Sequence, residues 1–262
     1  MELEGKIALV TGAGRRLGKA VALALARAGA DVGLHYRASR VEAQETAREI
    51  EALGRRAELF QADLADPEQI DRLFEAVASA FGQLDVLVNN AAICERTPIK
   101  SLSAEQWDRH FAINTRAAAL CISRAVPLMG AARTDRPTPA AQRSDASQSS
   151  KSGGVVVNIA DVSAGSPWPG YPAYCASKAA LLALTRSAAK ALAPAIRVNS
   201  VSPGAILWSP DTTDVQKRKV LDHIPMGRTG SPEDVAAAVV FLARQDYVTG
   251  QDLRVDGGWK TG

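Results

Sequence analysis

Short apolar runs alternate with longer amphipathic stretches along nearly the whole chain of 262 residues. The apolar runs have the length of strands, and several of the stretches between them begin on Ser or Asp and end on glycine, as helices do. Seven runs are predicted to be strands, at residues 6–11, 31–36, 57–64, 84–91, 154–160, 196–204 and 251–258. Strands that alternate with helices favour a parallel sheet covered on both faces. The fold class is therefore predicted to be α/β, with a single Rossmann-like, doubly wound sheet of about seven parallel strands.

One segment, residues 130–154, breaks this alternation. It is rich in Ser, Pro, Ala and Gly and has almost no large apolar side chains. Such a composition cannot bury enough surface to offset the entropy of ordering it. We expect a flexible insertion within one domain that spans residues 1–262. It joins a helix to the start of a strand, at the sheet edge opposite the ligand crevice, so we do not expect a catalytic lid.

Charge and cysteine content exclude several classes of function. The net charge of +3 comes from scattered Lys and Arg residues, so nucleic acid is not an expected partner. No apolar run approaches the ~20 residues of a membrane helix, and the amino terminus lacks the order of a signal peptide. Cys94, Cys121 and Cys175 have no paired spacing and no Cys/His cluster is present. We expect a cytoplasmic protein with reduced thiols, no membrane partner and no metal.

The sequence "TGAGRRLG" at residues 11–18 predicts a phosphate-binding turn between the first strand and the first helix. Gly12 permits a tight turn, Gly14 allows a ligand to approach the backbone, and Gly18 allows close packing of helix and sheet. The helix amino terminus that follows favours an anion. A glycine-rich turn in this position indicates a dinucleotide site.

The end of the second strand, "LHYRAS", indicates which dinucleotide is bound. An NAD site would place an acid here to bind the ribose hydroxyls, but Tyr36 occupies that position. Arg37, Ser39 and Arg15 instead provide two guanidinium groups and a hydroxyl, which suit a 2′-phosphate. We expect NADPH/NADP+ as the cofactor; the alternative is that these arginines are solvated surface charges.

Tyr174 and Lys178 form a candidate catalytic pair. Their i,i+4 spacing places both side chains on one face of a helix. A nearby ammonium stabilises a phenolate, so Lys178 is expected to lower the pKa of Tyr174 from about 10 toward the working pH. Tyr174 is then a usable general acid for a substrate that is being reduced.

The order of these motifs, with "NNA", "YCASK" and "SPG", resembles the short-chain dehydrogenase/reductase family over nearly the whole chain. The resemblance implies that Asp63 contacts adenine, that Asn114 positions a proton-relay water and that Lys178 holds the nicotinamide ribose. It also implies a homotetramer or homodimer. The implied catalytic residues are Asn114, Asp161, Tyr174 and Lys178. The implied cofactor-binding residues are Gly12, Arg15, Arg16, Leu17, Gly18, His35, Tyr36, Arg37, Ser39, Asp63, Leu64, Asn90, Ala91, Tyr174, Lys178, Pro203 and Gly204; Arg16 stands where the family has its middle glycine.

Asp161 departs from the family pattern, which has Ser thirteen residues before the tyrosine. In this departure the chain is most similar to the pteridine reductases, which pair Asp with Tyr and Lys. The carboxylate can accept a hydrogen bond from a ring N–H of a substrate, hold Tyr174 in its donor orientation, or cap a turn. An ionised Asp161 raises the pKa of Tyr174 and so opposes Lys178, which leaves the net direction open.

The residues expected around the substrate are Cys94, Trp168, Tyr171 and Trp208. Pteridine reductases carry an aromatic residue at the position of Cys94, and a cysteine cannot stack on a pterin. The aromatic side chains of the other three could hold a planar ring, or they could be ordinary packing residues. The predicted function is NADPH-dependent, pteridine reductase-like hydride transfer to a small molecule. The alternatives are a carbonyl reductase of the 3-oxoacyl type and a non-catalytic NADPH-binding protein.

Overall fold

The computed structural model describes residues 1–130, 153–208 and 212–260. Its strands are β1 Ile7–Val10, β2 Asp31–Tyr36, β3 Ala57–Gln61, β4 Val86–Asn89, β5 Gly154–Ile159, β6 Ile196–Pro203 and β7 Asp252–Val255. All neighbouring strands pair in parallel, in the order β3-β2-β1-β4-β5-β6-β7. The predicted doubly wound sheet is therefore confirmed.

The helices follow the predicted amphipathic stretches. They are α1 Arg16–Arg27, α2 Arg40–Ala52, α3 Pro67–Phe81, α4 Ala104–Phe111, α5 Ala117–Gly130, α6 Pro172–Leu192, α7 Asp214–Leu221 and α8 Pro232–Arg244. Helix α3 begins at its predicted cap, where the Asp66 carboxylate accepts a hydrogen bond from the Glu68 N–H. Such a cap satisfies one of the amide groups that a helix start leaves unpaired.

Two apolar cores lie on opposite faces of the sheet, because successive strand residues point to opposite sides. Ala8 and Val10 of β1 belong to the core that α1 and α8 cover. Ile7 and Leu9, the alternate residues of the same strand, belong to the core that α3 and α5 cover. Burial of both sheet faces explains why the strand sequences are almost uninterrupted apolar runs.

The sequence pattern over residues 103–129 predicts one long helix, but the observed helix is not regular. A π-helical turn, Ala112–Arg116, separates α4 from α5. Asn114 and Thr115 lie in this turn and both make hydrogen bonds to other segments, which accounts for the local departure from α geometry. Single π-helical turns inside α-helices are frequent at functional sites.

The predicted flexible insertion at 130–154 lies, apart from residues 130, 153 and 154, outside the described residues. Residues 206–226 are described except for 209–211, and they contain α7. Among the helices that the structure describes, none is long and apolar enough to cross a membrane.

The parallel arrangement places four chain segments at one edge of the sheet. Gly12 follows β1, Asn90 follows β4, Asp161 follows β5 and Gly204 follows β6. The strand order reverses between β1 and β4, and ligands of open parallel sheets bind at that point.

Candidate active site

The turn between β1 and α1 is tightly packed. Gly12 has a φ of 66°, which a residue with a side chain rarely adopts. A Cβ on Gly18 would lie 2.1 Å from the carbonyl oxygen of Gly12, so only glycine fits there. Asn90 Nδ2 donates to the Thr11 carbonyl across 2.8 Å and joins the end of β4 to the turn. The turn therefore has a fixed shape with the first amide groups of α1 beside it.

Two residues of the turn have distinctive surroundings, and one of them, Gly14, differs from its predicted use. Gly14 does not line the cleft described below; a Cβ there would meet Ser39 Oγ at 2.7 Å, so this glycine allows the turn to pack against the start of α2. Arg16 has a φ of 53°, an uncommon value for a residue with a side chain. Arg16, which stands where the family has glycine, thus adopts the left-handed backbone and adds a cation to the turn.

His35, at the end of β2, joins the glycine turn to the segment after β3 through two hydrogen bonds. Its Nδ1 accepts a hydrogen bond from the Gly12 N–H at 3.1 Å, and its Nε2 donates to the Ala62 carbonyl at 3.0 Å. Burial lowers the pKa of His35 to about 4, so the ring is neutral, as these two bonds require.

A cleft of about 690 Å³ runs along this sheet edge. Thirteen of the predicted cofactor-binding residues line it: Gly12, Arg15, Arg16, Leu17, Gly18, His35, Tyr36, Arg37, Ser39, Asp63, Leu64, Asn90 and Ala91. The side chains of Arg15, Arg16 and Arg37 are exposed, and Arg37 Nη1 lies 3.9 Å from Asp63 Oδ2. Pro203 and Gly204 do not line this cleft, and Gly204 packs closely against Asp256.

Asn114 is buried where the π-helical turn meets the cleft. Its Oδ1 accepts from the Ile93 N–H at 2.9 Å, and its Nδ2 donates to the Ile93 carbonyl at 2.9 Å and to Ser177 Oγ at 3.0 Å. Asn114 and Lys178 line one small cavity, which shares Ala91 with the cleft. Sequence analysis missed Ser177, which couples Asn114 to the helix that carries the tyrosine.

Asp161 and Tyr174 are in direct contact. Tyr174 Oη donates to Asp161 Oδ2 across 2.8 Å, and Asp161 Oδ1 accepts from the Ser163 N–H at 2.7 Å. Two of the three predicted uses of the carboxylate are thus present together, since Asp161 caps a turn and also orients the phenol.

Lys178 lies beside the Tyr174 ring. Its Nζ donates to the Ile159 carbonyl at 2.7 Å and lies 5.9 Å from the centre of the Tyr174 ring. Burial lowers the pKa of Lys178 to about 8. Burial, and after it the Asp161 carboxylate, raise the pKa of Tyr174 well above its usual value. The net direction that the sequence left open is therefore upward in the cofactor-free protein, because removal from water and a carboxylate act in the same direction.

The predicted substrate residues divide into three groups. Cys94 lines the cleft and is exposed. Trp168 and Tyr171 belong to an aromatic cluster around Tyr174. Within the described part of the chain, no ring contact joins Trp208 to this cluster.

Trp259 also joins the cluster, with its ring centre 6.4 Å from that of Trp168. Sequence analysis missed it, although its place directly after the "DGG" that follows β7 was a usable signal. The carboxyl end of β7 lies beside that of β6, at the edge of the sheet that holds the site.

A family model described as short chain dehydrogenase matches residues 6–219. The chain belongs to the short-chain dehydrogenase/reductase family. A curated member of the family, a 3-oxoacyl-[acyl-carrier-protein] reductase of Staphylococcus aureus, is 36% identical over 258 residues, which are 97% of each chain. A short-chain dehydrogenase/reductase variant from Serratia marcescens superposes with a TM-score of 0.87 at 30% identity and covers 100% of both chains. A blue fluorescent protein from a metagenomic library, solved in complex with NADPH, gives a TM-score of 0.86 at 34% identity, also over 100% of both chains.

This short-chain dehydrogenase/reductase is an NADP(H)-dependent oxidoreductase, and its residues fit that cofactor. The cleft beside the glycine turn has a volume typical of cofactor sites. The end of β2 presents Tyr36 and then Arg37, with no carboxylate at either position. The family assignment favours the enzymatic predictions over a non-catalytic binding protein.

Proposed function

We propose that this reductase is pteridine reductase-like and reduces a C=N bond in a pterin or a similar nitrogen heterocycle. The observation that carries the proposal is the 2.8 Å hydrogen bond from Tyr174 Oη to Asp161 Oδ2. A carboxylate at this position can accept a hydrogen bond from a ring N–H or an amino group, which a simple ketone lacks.

We propose the following catalytic roles for the site residues. NADPH, when bound, would supply the hydride. Tyr174 would donate its Oη proton to the substrate nitrogen; because a phenol carries one proton, its hydrogen bond to Asp161 would give way to one with the substrate. Lys178 would hold the ribose of the cofactor, and Asn114 would position a proton-relay water, as the family resemblance implies.

The second candidate is a carbonyl reductase of the 3-oxoacyl type. It is favoured by the 36% identity to the Staphylococcus aureus reductase. Cys94 also favours it, because an exposed cysteine leaves the cleft without a stacking ring at that position. In this case Asp161 acts through its turn cap and its bond to Tyr174, without touching the substrate.

Initial rates of NADPH oxidation distinguish the two candidates. We expect turnover of dihydrobiopterin or dihydrofolate, and little turnover of an acetoacetyl thioester or of a panel of small ketones. The opposite ranking would reject the pterin assignment and support the carbonyl reductase.

We further propose that the enzyme is a homotetramer or homodimer in the cytoplasm, as the family resemblance implies. Helices α5 and α6 carry broad Ala/Leu surfaces that a second copy can cover. A stable monomer in size-exclusion chromatography with light scattering would contradict the assembly.

A further inference from the structure

Three aromatic rings are stacked in series next to the proton donor; we call them the aromatic stack. The Trp168 ring lies 6.2 Å from the Tyr174 ring, with an interplanar angle of 24°. The Trp259 ring lies 6.4 Å from the Trp168 ring, with an angle of 27°. These values are those of offset-stacked aromatic pairs. Trp168 is the middle member, and it connects the carboxyl-terminal segment to the catalytic tyrosine.

Trp259 is held in a defined turn. Asp256 Oδ1 accepts from the Gly258 N–H at 3.0 Å, and Asp256 Oδ2 accepts from the Lys260 N–H at 2.9 Å. The Trp259 N–H donates to the Asp256 carbonyl at 3.2 Å. Gly257 and Gly258 have φ values of 64° and 83°, which only glycine adopts readily. The sequence around Trp259 is thus built to fix where its indole lies.

Packing on both sides fixes the same turn. A Cβ on Gly257 would lie 2.8 Å from Ile224 Cγ2, and a Cβ on Gly204 would lie 2.7 Å from Asp256 Cβ. The turn therefore sits between the end of β6 and the segment that follows α7.

Tyr174 needs such support from packing. Among the contacts that the structure describes, its hydroxyl has one hydrogen-bond partner, Asp161, and this single bond does not fix the plane of the ring. Trp168 stacks on that ring from a segment without long regular structure, and Trp168 is itself half-buried. Loss of the Trp259 ring would expose Trp168 further and loosen the stack.

We propose that Trp259 is a positioning residue that acts through Trp168 to keep the Tyr174 ring in its donor orientation and to keep water from its hydroxyl. This inference rests on the proposed role of Tyr174 as the acid, but not on the identity of the substrate. On this proposal, the segment after β7 contributes to the active site by supporting the proton donor.

The test compares Trp259→Ala with Trp259→Phe. We expect kcat of Trp259→Ala to fall about tenfold with every substrate that the parent enzyme reduces, since a loosened acid is misplaced in the transition state. The Kd for NADPH, measured by fluorescence, changes less than about twofold, because the cleft is untouched. Trp259→Phe keeps most of the activity. Tyr247→Ala, which removes a fully exposed ring elsewhere, is the matched control and leaves kcat unchanged.

A spectroscopic readout separates positioning from a structural role. The ultraviolet absorbance change of Tyr174 on ionisation is obtained by subtracting the signal of Tyr174→Phe in the same background. We expect Tyr174 to ionise at lower pH in Trp259→Ala than in the parent, because water reaches its hydroxyl.

Unchanged kcat and an unchanged Tyr174 titration in Trp259→Ala would overturn the proposal. If that variant does not fold, Trp259→Leu decides, since it keeps apolar volume without the ring; full activity of Trp259→Leu overturns the proposal. If the parent reduces ketones but no pterin, the proposed substrate fails while Trp259 is judged on the ketone. If Tyr174→Phe stays active, both the role of Tyr174 and that of Trp259 fail.

Discussion

Asp161 binds the phenol of Tyr174 with one carboxylate oxygen and the Ser163 amide with the other, at 2.8 Å and 2.7 Å. The turn that follows β5 therefore fixes the carboxylate, and the carboxylate binds the hydroxyl that we propose as the proton donor. A serine at this position has a single side-chain oxygen and no charge. It could not make these two contacts through two separate charged oxygens. The predictions below start from this relationship.

Replacement of Asp161 by serine separates the two candidate substrates. Asp161→Ser should lower pterin reduction at least about tenfold, because the charged acceptor for the ring N–H is lost. Ketone reduction, if the enzyme has any, should be unchanged or higher. Asp161→Asn is the control that keeps the size of the side chain and removes its charge. Initial rates with both substrate classes decide, and undiminished pterin turnover in Asp161→Ser would remove the carboxylate from the mechanism.

The same substitution should move the pH profile. The Asp161 carboxylate raises the pKa of Tyr174, so removal of the charge lowers that pKa. The alkaline limb of kcat/KM should then shift to lower pH. Burial, the larger cause, remains, so the pKa should stay above the usual value for tyrosine. A shift to higher pH would contradict this reading.

Tyr174→Phe should lower kcat by about a hundredfold or more, since it removes the general acid and retains the ring. The Kd for NADPH should hardly change, because Tyr174 does not line the cleft. Stopped-flow turnover and fluorescence titration of NADPH give the two quantities.

The burial of Lys178 should make the free energy of unfolding depend on pH. Burial lowers its pKa from 10.5 to about 8 in the folded protein. Between these values the unfolded chain binds more protons than the folded one, so the free energy of unfolding should rise with pH. Lys178→Met should remove this rise, whereas Lys190→Met, an exposed lysine of the same helix, should keep it. Urea unfolding of the cofactor-free protein across this range is the measurement, and equal slopes in Lys178→Met and its parent would refute the assignment.

Arg37 should select NADPH over NADH. Its exposed guanidinium lines the cleft at the end of β2, where a 2′-phosphate would lie. Arg37→Ala should raise KM for NADPH about tenfold and leave KM for NADH nearly unchanged, because only NADPH carries the phosphate. Arg40→Ala, an exposed arginine outside the cleft, serves as the control. An equal rise for both cofactors would contradict the selective role.

The architecture could be predicted from the sequence because the two signals for it, apolar runs and amphipathic stretches, are local. Continuous apolar runs predict strands, and capped amphipathic stretches predict helices, each from its own segment alone. Their alternation and the handedness of the connections then predict a parallel sheet. The observed strands are shorter than the runs. The apolar run at 57–64, for example, pairs with β2 only as far as Gln61, because Asp63 and Leu64 leave the sheet and line the cleft.

The electrostatics of the site could not be predicted in the same way. Spacing shows that Tyr174 and Lys178 share a helix face, but it does not show how deeply each is buried. Burial proved to be the largest influence on both pKa values. Trp259 was missed for a related reason: its contact with Trp168 depends on the turn at Asp256, which joins segments far apart in the sequence.

The π-helical turn at Ala112–Arg116 has a consequence for anyone who redesigns this enzyme. Design rules that favour regular backbone geometry would replace this turn with an idealised α-helix over the same residues. Yet removal of one residue from the turn rotates all that follows by about 100°, as the helical repeat requires. Asn114 could not then reach both Ile93 and Ser177. Designs scored on fold stability alone would select against the irregularity on which the chemistry depends.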